Sequence, residues 1–128
     1  MHDSQLLRLA LRGNAAFSTL SGLGFLAASP AIAAFLGDIP SSEIASIGAS
    51  LLVFAAFLVW LSLRPQIPPA LVLGVIAGDL AWVVGTVLAL FAGVFTPSGA
   101  IAAIGVANVV LAFAVLQWVG LRRTRATA

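Results

Sequence analysis

Four long apolar stretches, separated by short segments rich in proline, glycine or polar residues, dominate the chain. They cover about residues 5–28, 42–63, 69–95 and 98–121. At ~1.5 Å rise per residue, each stretch is long enough as a helix to cross the ~30 Å apolar layer of a bilayer. The pattern predicts an all-α membrane protein, a four-transmembrane-helix bundle that forms a single domain over residues 1–128.

Local signals set the ends of these predicted spans. Ser29-Pro30 should end the first span, because the residue before a proline is pushed out of the helical region. Residues 31–36 then have room for one or two helical turns. Pro68-Pro69 opens the third span, where proline in a first turn costs nothing extra, and residues 96–99 form a turn signal before the fourth.

A cleaved signal peptide is the alternative interpretation of the first apolar stretch. Its positive start, its apolar centre and the Ala-x-Ala pattern at Ala31-Ile32-Ala33 favour that alternative. An internal counterpart of the same stretch, in the third span, favours a span that is retained.

The second half of the chain repeats parts of the first. Gly13-Asn14-x-Ala16-Phe17 matches Gly78-Asp79-x-Ala81-Trp82, and Trp60-x-x-x-Arg64 matches Trp118-x-x-x-Arg122. Chance similarity between apolar helices is the other explanation. A true internal duplication would give two tandem helical hairpins of the same orientation, with Asn14 and Asp79 at the same depth.

Composition and charge agree with a membrane protein. Hydrophobic residues make up 62% of the chain and charged residues 8%, whereas a soluble domain carries about 25% charged residues. All six arginines lie in the N-terminal region, the second loop or the C-terminal tail. This bias predicts a multi-pass membrane protein with both termini in the cytoplasm. The arginines form no basic stripe, so we expect no nucleic-acid partner.

Few residues in the chain are suited to chemistry. It has no cysteine and a single histidine, His2, so thiolate metal sites and bis-histidine haem lack ligands. No nucleophile has a plausible base, and paired-acid catalysis needs two carboxylates where the spans offer one. We therefore expect no enzyme, no metal site and no cofactor.

Asp79 is the one ionisable residue in the third span. A charged carboxylate at that depth costs roughly 2.5–3.5 kcal/mol, so it should face protein or water and have a partner. Helical spacing places other polar and aromatic residues near it. The predicted inter-helix binding site consists of Asp79, Arg12, Asn14, Ser18, Trp82, Thr86 and Asn108. Within it we expect Asp79 to pair with Arg12, while Asn14 and Asn108 supply further hydrogen bonds.

Two interpretations of this site stay open from the sequence. Polar side chains between membrane helices often act as packing contacts worth ~0.6 kcal/mol each, whereas an intramembrane acid is by default a candidate for function. Gly74-x-x-x-Gly78 offers a similar choice between close packing inside the bundle and a helix contact in a homo-oligomer.

Three segments carry a resemblance to known proteins, namely residues 9–18, 78–82 and 116–122. In them the chain resembles short bacterial four-span integral membrane proteins of uncharacterised function, which implies a location in the bacterial inner (plasma) membrane. Arginine early in the first span and Leu36-Gly37 before the second also resemble DoxX-like membrane proteins. That resemblance implies a compact four-helix bundle that serves as an accessory subunit. Small multidrug transporters share the size and helix count, but their first-span glutamate is missing here.

Together these observations predict a non-enzymatic accessory or ligand-binding protein. A membrane lipid, another hydrophobic ligand or a partner helix would occupy a polar inter-helix site at Asp79. The protein would act alone, as a homo-oligomer or in a larger membrane complex. The alternative is a proton- or cation-coupled small-solute transporter that works as an oligomer, with Asp79 as its coupling carboxylate.

Overall fold

The described residues form five helices. The structure is a computed structural model that describes the backbone of residues 2–126 and the side chains of residues 4–124. The side chain of His2 therefore lies outside the described residues. In chain order the helices are α1 (His2–Ala27), α2 (Ser29–Leu36), α3 (Ser41–Ser62), α4 (Pro69–Phe91) and α5 (Pro97–Ala126).

Three of these helices, α3, α4 and α5, are each long and apolar enough to cross a membrane. The first helix meets the same standard only together with α2, and the two are bent by 99° at the break between them. The described part of the chain therefore has three candidate spans, or four if α1 and α2 form one bent span. This is the composition of a helical membrane protein.

Two predicted boundaries depend on proline, and both positions are confirmed, although Ser29, which was expected to leave the helical region, is the first residue of α2. The first helix ends at Ala27, and Pro30 lies in the first turn of α2. Pro69 opens α4. In both places proline lacks only an N–H that has no partner in a helix's first turn, so it fixes a start without breaking a helix.

The predicted end of the third span at residue 95 is wrong, because α4 ends at Phe91. The chain after α4 instead pairs with the connection between α2 and α3. The backbone N–H of Asp38 donates to the Val94 carbonyl at 2.9 Å, and the Thr96 N–H donates to the Leu36 carbonyl at 2.8 Å. This bridge between two loops requires an extended chain where the apolar pattern predicts helix.

The four long helices are arranged in the order α3, α1, α5, α4. The first helix packs along α3 and along α5, and α4 packs along α5, whereas α3 and α4 do not approach closely along their lengths. The main hydrophobic core lies at the end of the bundle where the α3–α4 loop is, and includes Leu7, Leu11, Leu58, Leu61, Val72, Val75 and Leu121. The bundle is closed by side chains at that end, and α3 and α4 separate towards the other.

Glycines show how differently the helices are packed. A Cβ added to Gly22 of α1 would lie 2.8 Å from the carbonyl oxygen of Gly48 in α3, so the two backbones are in direct contact. A Cβ added to Gly74 or Gly78 of α4 would meet nothing within 4 Å. Close packing inside the bundle, one of the two interpretations of Gly74-x-x-x-Gly78, is therefore wrong. The oligomer contact stays a prediction.

Candidate functional site

The carboxylate of Asp79 lies inside the bundle, where 4% of the residue is exposed. Nδ2 of Asn14 donates to Oδ2 at 3.0 Å, and Nε2 of Gln117 donates to the same oxygen at 2.8 Å. Oδ1 accepts only a longer bond, 3.3 Å from Asn14 Nδ2. Side chains of α1, α4 and α5 therefore meet at one carboxylate.

Asn14 is the centre of this group, which we call the Asp79 cluster: Asp79, Asn14, Gln117 and Ser18. Besides its bonds to Asp79, Asn14 Nδ2 donates to Oε1 of Gln117 at 3.0 Å. Its own Oδ1 accepts a weak bond from the Ser18 hydroxyl at 3.4 Å. All four residues are buried. The donors in the cluster are uncharged, so the cluster solvates the carboxylate without neutralising it.

Gln117 is absent from the predicted site, although it makes the shortest bond to Asp79. A signal for it is present in the sequence. Gln117 lies three residues after Ala114 and four before Leu121, and all three share one face of α5, which the structure buries. Asn108 was the predicted donor of this helix, but it lies nine residues earlier, about half a turn away around the axis.

The predicted pair of Asp79 with Arg12 is wrong. Nε and Nη2 of Arg12 instead lie 3.4 and 3.5 Å from the hydroxyl and carbonyl oxygens of Ser62, at the end of α3. Arg12 precedes Asn14 by two residues, which is about 200° around a helix of ~3.6 residues per turn. The two side chains therefore leave α1 in nearly opposite directions, and Asn14 is the one that reaches Asp79.

Arg8, one turn before Arg12, contacts the same end of α3. Its Nη1 donates to the carbonyls of Ser62 and Arg64, each at 2.7 Å, and its Nη2 donates to the Pro65 carbonyl at 3.0 Å. The last carbonyls of a helix have no partner within it, and a guanidinium satisfies several at once. The arginines of the first span therefore attach α1 to α3 and do not belong to the Asp79 cluster.

Two further predicted site residues form hydrogen bonds only within their own helices. The Thr86 hydroxyl donates to the carbonyl of Trp82 at 2.9 Å. The Asn108 side chain is exposed and donates to the Ile104 carbonyl at 2.9 Å. The predicted role of Asn108 as a donor to Asp79 is therefore wrong, because its face of α5 points out of the bundle.

A cavity of about 380 Å³ extends from the Asp79 cluster between α3 and α4. We call it the α3/α4 cleft. Asp79, Asn14 and Ser18 border its polar end. Most of its remaining wall is apolar and comes from all four long helices, with Phe17 of α1, Phe54 of α3, Trp82 of α4 and Val110 of α5 among the lining residues.

The cleft opens on the outer surface of the bundle, because exposed residues of both flanking helices line it. Ser46 and Ser50 of α3 are exposed, as is Gly78 of α4. The Ser46 and Ser50 hydroxyls each donate to the carbonyl four residues earlier, at 2.9 Å. These bonds satisfy the two hydroxyls within α3, so the mouth of the cleft is compatible with an apolar occupant.

Trp82 is the predicted site residue with an unmet hydrogen-bonding group. Its ring borders the cleft, and its indole N–H is buried without a hydrogen-bond partner. A buried N–H of this kind costs about 1–3 kcal/mol, and such groups are rare in folded proteins.

Within the described part of the chain, no group of three or more histidine, cysteine, aspartate or glutamate side chains could hold a metal ion. No family model matches this chain, and searches of the curated proteins and of the solved structures give no match either. The resemblance to four-span and DoxX-like proteins therefore stays a prediction.

Proposed function

We propose that this chain is a non-enzymatic membrane protein that binds a lipid or another hydrophobic small molecule in the α3/α4 cleft. One observation carries the proposal: an apolar cavity of about 380 Å³ ends at a buried carboxylate with two amides. Ligand sites commonly have volumes of about 300–1,000 Å³, with apolar walls and a few convergent polar groups. An accessory or carrier role in a bacterial inner membrane fits such a site.

The position of the Asp79 cluster supports binding over a purely structural role. A polar cluster that only joins helices would be enclosed by packed side chains on every side. Here the cluster joins α1 and α4 to α5 through Gln117, and Asp79, Asn14 and Ser18 also border the cleft. The cleft-lining residue Trp82 adds a buried indole N–H without a hydrogen-bond partner.

The location of the opening indicates the route of entry. In a membrane, a gap between two apolar spans faces the acyl chains, so a ligand would enter sideways from the bilayer. Exposed apolar residues such as Val53, Val84 and Leu88 cover the outer surfaces of α3 and α4, as a lipid-facing surface requires.

Native mass spectrometry after gentle extraction tests this function. The wild-type chain should retain a bound apolar molecule. Ser50→Phe, which fills the cleft mouth, should lose most of that bound mass. Val53→Phe is the matched control, because Val53 is on the same helix, exposed and outside the cleft lining. Equal retention by both variants, or no bound mass in the wild type, would contradict the proposal.

A second candidate, an oligomeric proton- or cation-coupled transporter, is favoured by one observation. Asp79 borders an open cleft, and its hydrogen-bond partners are uncharged. Its charge is therefore available to a transported proton or cation. Solute-driven proton uptake into liposomes that is lost in Asp79→Asn would support transport, and ligand retention without uptake would support binding alone.

A further inference from the structure

The α3/α4 cleft combines a carboxylate with several aromatic rings. Phe17 and Phe25 of α1, Phe54 of α3 and Trp82 of α4 all line it, together with Asp79. Aromatic faces attract cations, by about 2 kcal/mol or more where water is excluded, and cages of such rings are how proteins recognise quaternary ammonium groups. A lipid tail needs apolar walls, but it needs neither rings nor a carboxylate.

The hydrogen bonds of Asp79 also leave a place for a cation. Oδ2 accepts two bonds of 3.0 Å or less, while Oδ1 accepts only the 3.3 Å bond from Asn14. A carboxylate offers about four lone-pair sites, so Oδ1 has unused capacity. Both donors are neutral amides, and the two arginines of α1 are engaged at the end of α3.

A buried carboxylate with neutral partners is costly in a membrane, and such groups normally pair with an opposite charge. Arg12 was the candidate within the chain, and the geometry assigns it elsewhere. The cleft that Asp79 borders gives an opposite charge from outside the chain a way to reach the carboxylate.

We propose that the ligand of the α3/α4 cleft is a lipophilic cation: an apolar small molecule whose positively charged nitrogen lies against Asp79 within the cleft that the aromatic rings line. This inference deepens the binding function proposed above and depends on it. The apolar part of the molecule would lie along the cleft towards its opening between α3 and α4.

The test compares two probes of the same shape and different charge. One is phenylpropyltrimethylammonium, and the other is the neutral hydrocarbon in which carbon replaces its nitrogen. The protein is placed in nanodiscs of zwitterionic phosphatidylcholine, so the lipid itself does not attract the cation. Trp60→Phe with Trp118→Phe leaves Trp82 as the only tryptophan of three. Its fluorescence then reports occupancy of the cleft.

We expect the cation to bind at least about tenfold more tightly than the hydrocarbon. Asp79→Asn should remove most of that preference. Glu43→Gln is the matched control, because it also removes one negative charge but lies at the exposed start of α3, outside the cleft. If Asp79→Asn fails to fold, Phe54→Leu replaces it. Loss of the ring should weaken binding of the cation and leave binding of the hydrocarbon nearly unchanged.

The outcomes separate this inference from the function on which it depends. Equal binding of both probes would contradict the proposal that the ligand is a lipophilic cation, but it would still support a ligand-binding cleft. A cation preference that persists in Asp79→Asn and in Phe54→Leu would also overturn it. If neither probe binds, the inference fails. The bound mass in the Ser50→Phe experiment then decides separately whether the binding function fails with it.

Discussion

The helices α1 and α4 carry the two matching motifs of the chain, yet they are held in the bundle in different ways. The first lies between α3 and α5, and its backbone contacts α3 directly at Gly22. The other packs mainly along α5, and a Cβ added to its glycines at 74, 78 or 85 would meet nothing within 4 Å. Across the bundle, Asn14 of α1 donates hydrogen bonds to Asp79 of α4.

This difference explains why the cleft lies where it does. α1 is packed between α3 and α5, whereas α4 is packed mainly on one side and leaves a space between itself and α3. That space is the α3/α4 cleft, and the bonds from Asp79 to Asn14 and Gln117 keep its polar end in place. We therefore propose that α4 forms a wall of a binding site as well as part of the bundle.

The largest expected effect on stability comes from adding a side chain where the backbones of α1 and α3 are in contact. Gly22→Leu places a side chain against the Gly48 carbonyl, 2.8 Å from the added Cβ, and a backbone carbonyl cannot move aside. We expect a loss of roughly 3 kcal/mol in the free energy of unfolding, measured by denaturant titration in mixed micelles. Gly85→Leu on α4 should change it by less than about 0.5 kcal/mol. Equal losses of unfolding free energy in Gly22→Leu and Gly85→Leu would contradict the difference in packing between α1 and α4.

The next effect concerns the bond between α1 and α4. Asn14→Leu leaves the buried carboxylate with one strong donor, which should cost about 2 kcal/mol. A double-mutant cycle of Asn14→Leu with Asp79→Leu should show coupling of about 1 kcal/mol or more. The cycle of Arg12→Gln with Asp79→Asn should be additive within about 0.5 kcal/mol. Coupling between Arg12 and Asp79, with none between Asn14 and Asp79, would instead support the ion pair of Asp79 with Arg12.

A smaller effect tests how Arg8 attaches α1 to the end of α3. Arg8→Gln removes bonds to three carbonyls and should cost roughly 1.5 kcal/mol. Arg64→Gln is the control, since the exposed Arg64 guanidinium lies 4.9 Å from the centre of the Trp60 ring and such contacts contribute about 0.5–1 kcal/mol. Equal losses of unfolding free energy in the two variants would indicate that Arg8 contributes through its positive charge and not through its three hydrogen bonds.

The smallest effect is expected at Asn108. Asn108→Leu should leave the free energy of unfolding within about 0.5 kcal/mol of the wild type, because the side chain is exposed and bonds only its own helix. Gln117→Leu should cost about 1–2 kcal/mol, since it removes a buried donor to Asp79. A larger loss of stability in Asn108→Leu than in Gln117→Leu would mean that α5 turns its Asn108 face to the Asp79 cluster.

Helix positions were largely predictable, because the signals that set them are local. Proline fixed the starts of α2 and α4 through its own backbone geometry. The end of α4 was not predictable in this way. Val94 and Thr96 leave the helix to bond the α2–α3 connection, almost 60 residues away along the chain. A local sequence pattern around residues 91–96 carries no information about a hydrogen-bonding partner so far away in the chain.

The candidate site was predictable in part: Asp79 is buried and accepts hydrogen bonds from Asn14 as expected, whereas its partner on α5 was not predicted. The burial of Asp79 follows from the cost of a charge in a membrane, which any fold of this chain must meet. The choice of partner depends on which face each neighbouring helix turns inward. That is why Gln117 replaced Asn108, and why Arg12 contacts Ser62 instead of Asp79. The internal duplication stays a prediction, although Asn14 and Asp79 are in contact.

Photocrosslinking in native membranes can show whether α4 forms a wall of a ligand-binding site. A photoreactive residue at Ser50 faces the cleft, and the same residue at Val53 faces outwards from α3. We predict that the Ser50 probe captures one adduct of defined mass that disappears with Asp79→Asn, while the Val53 probe captures the mixed lipids of the bilayer. The same mixture of adducts at both positions would contradict a binding site between α3 and α4.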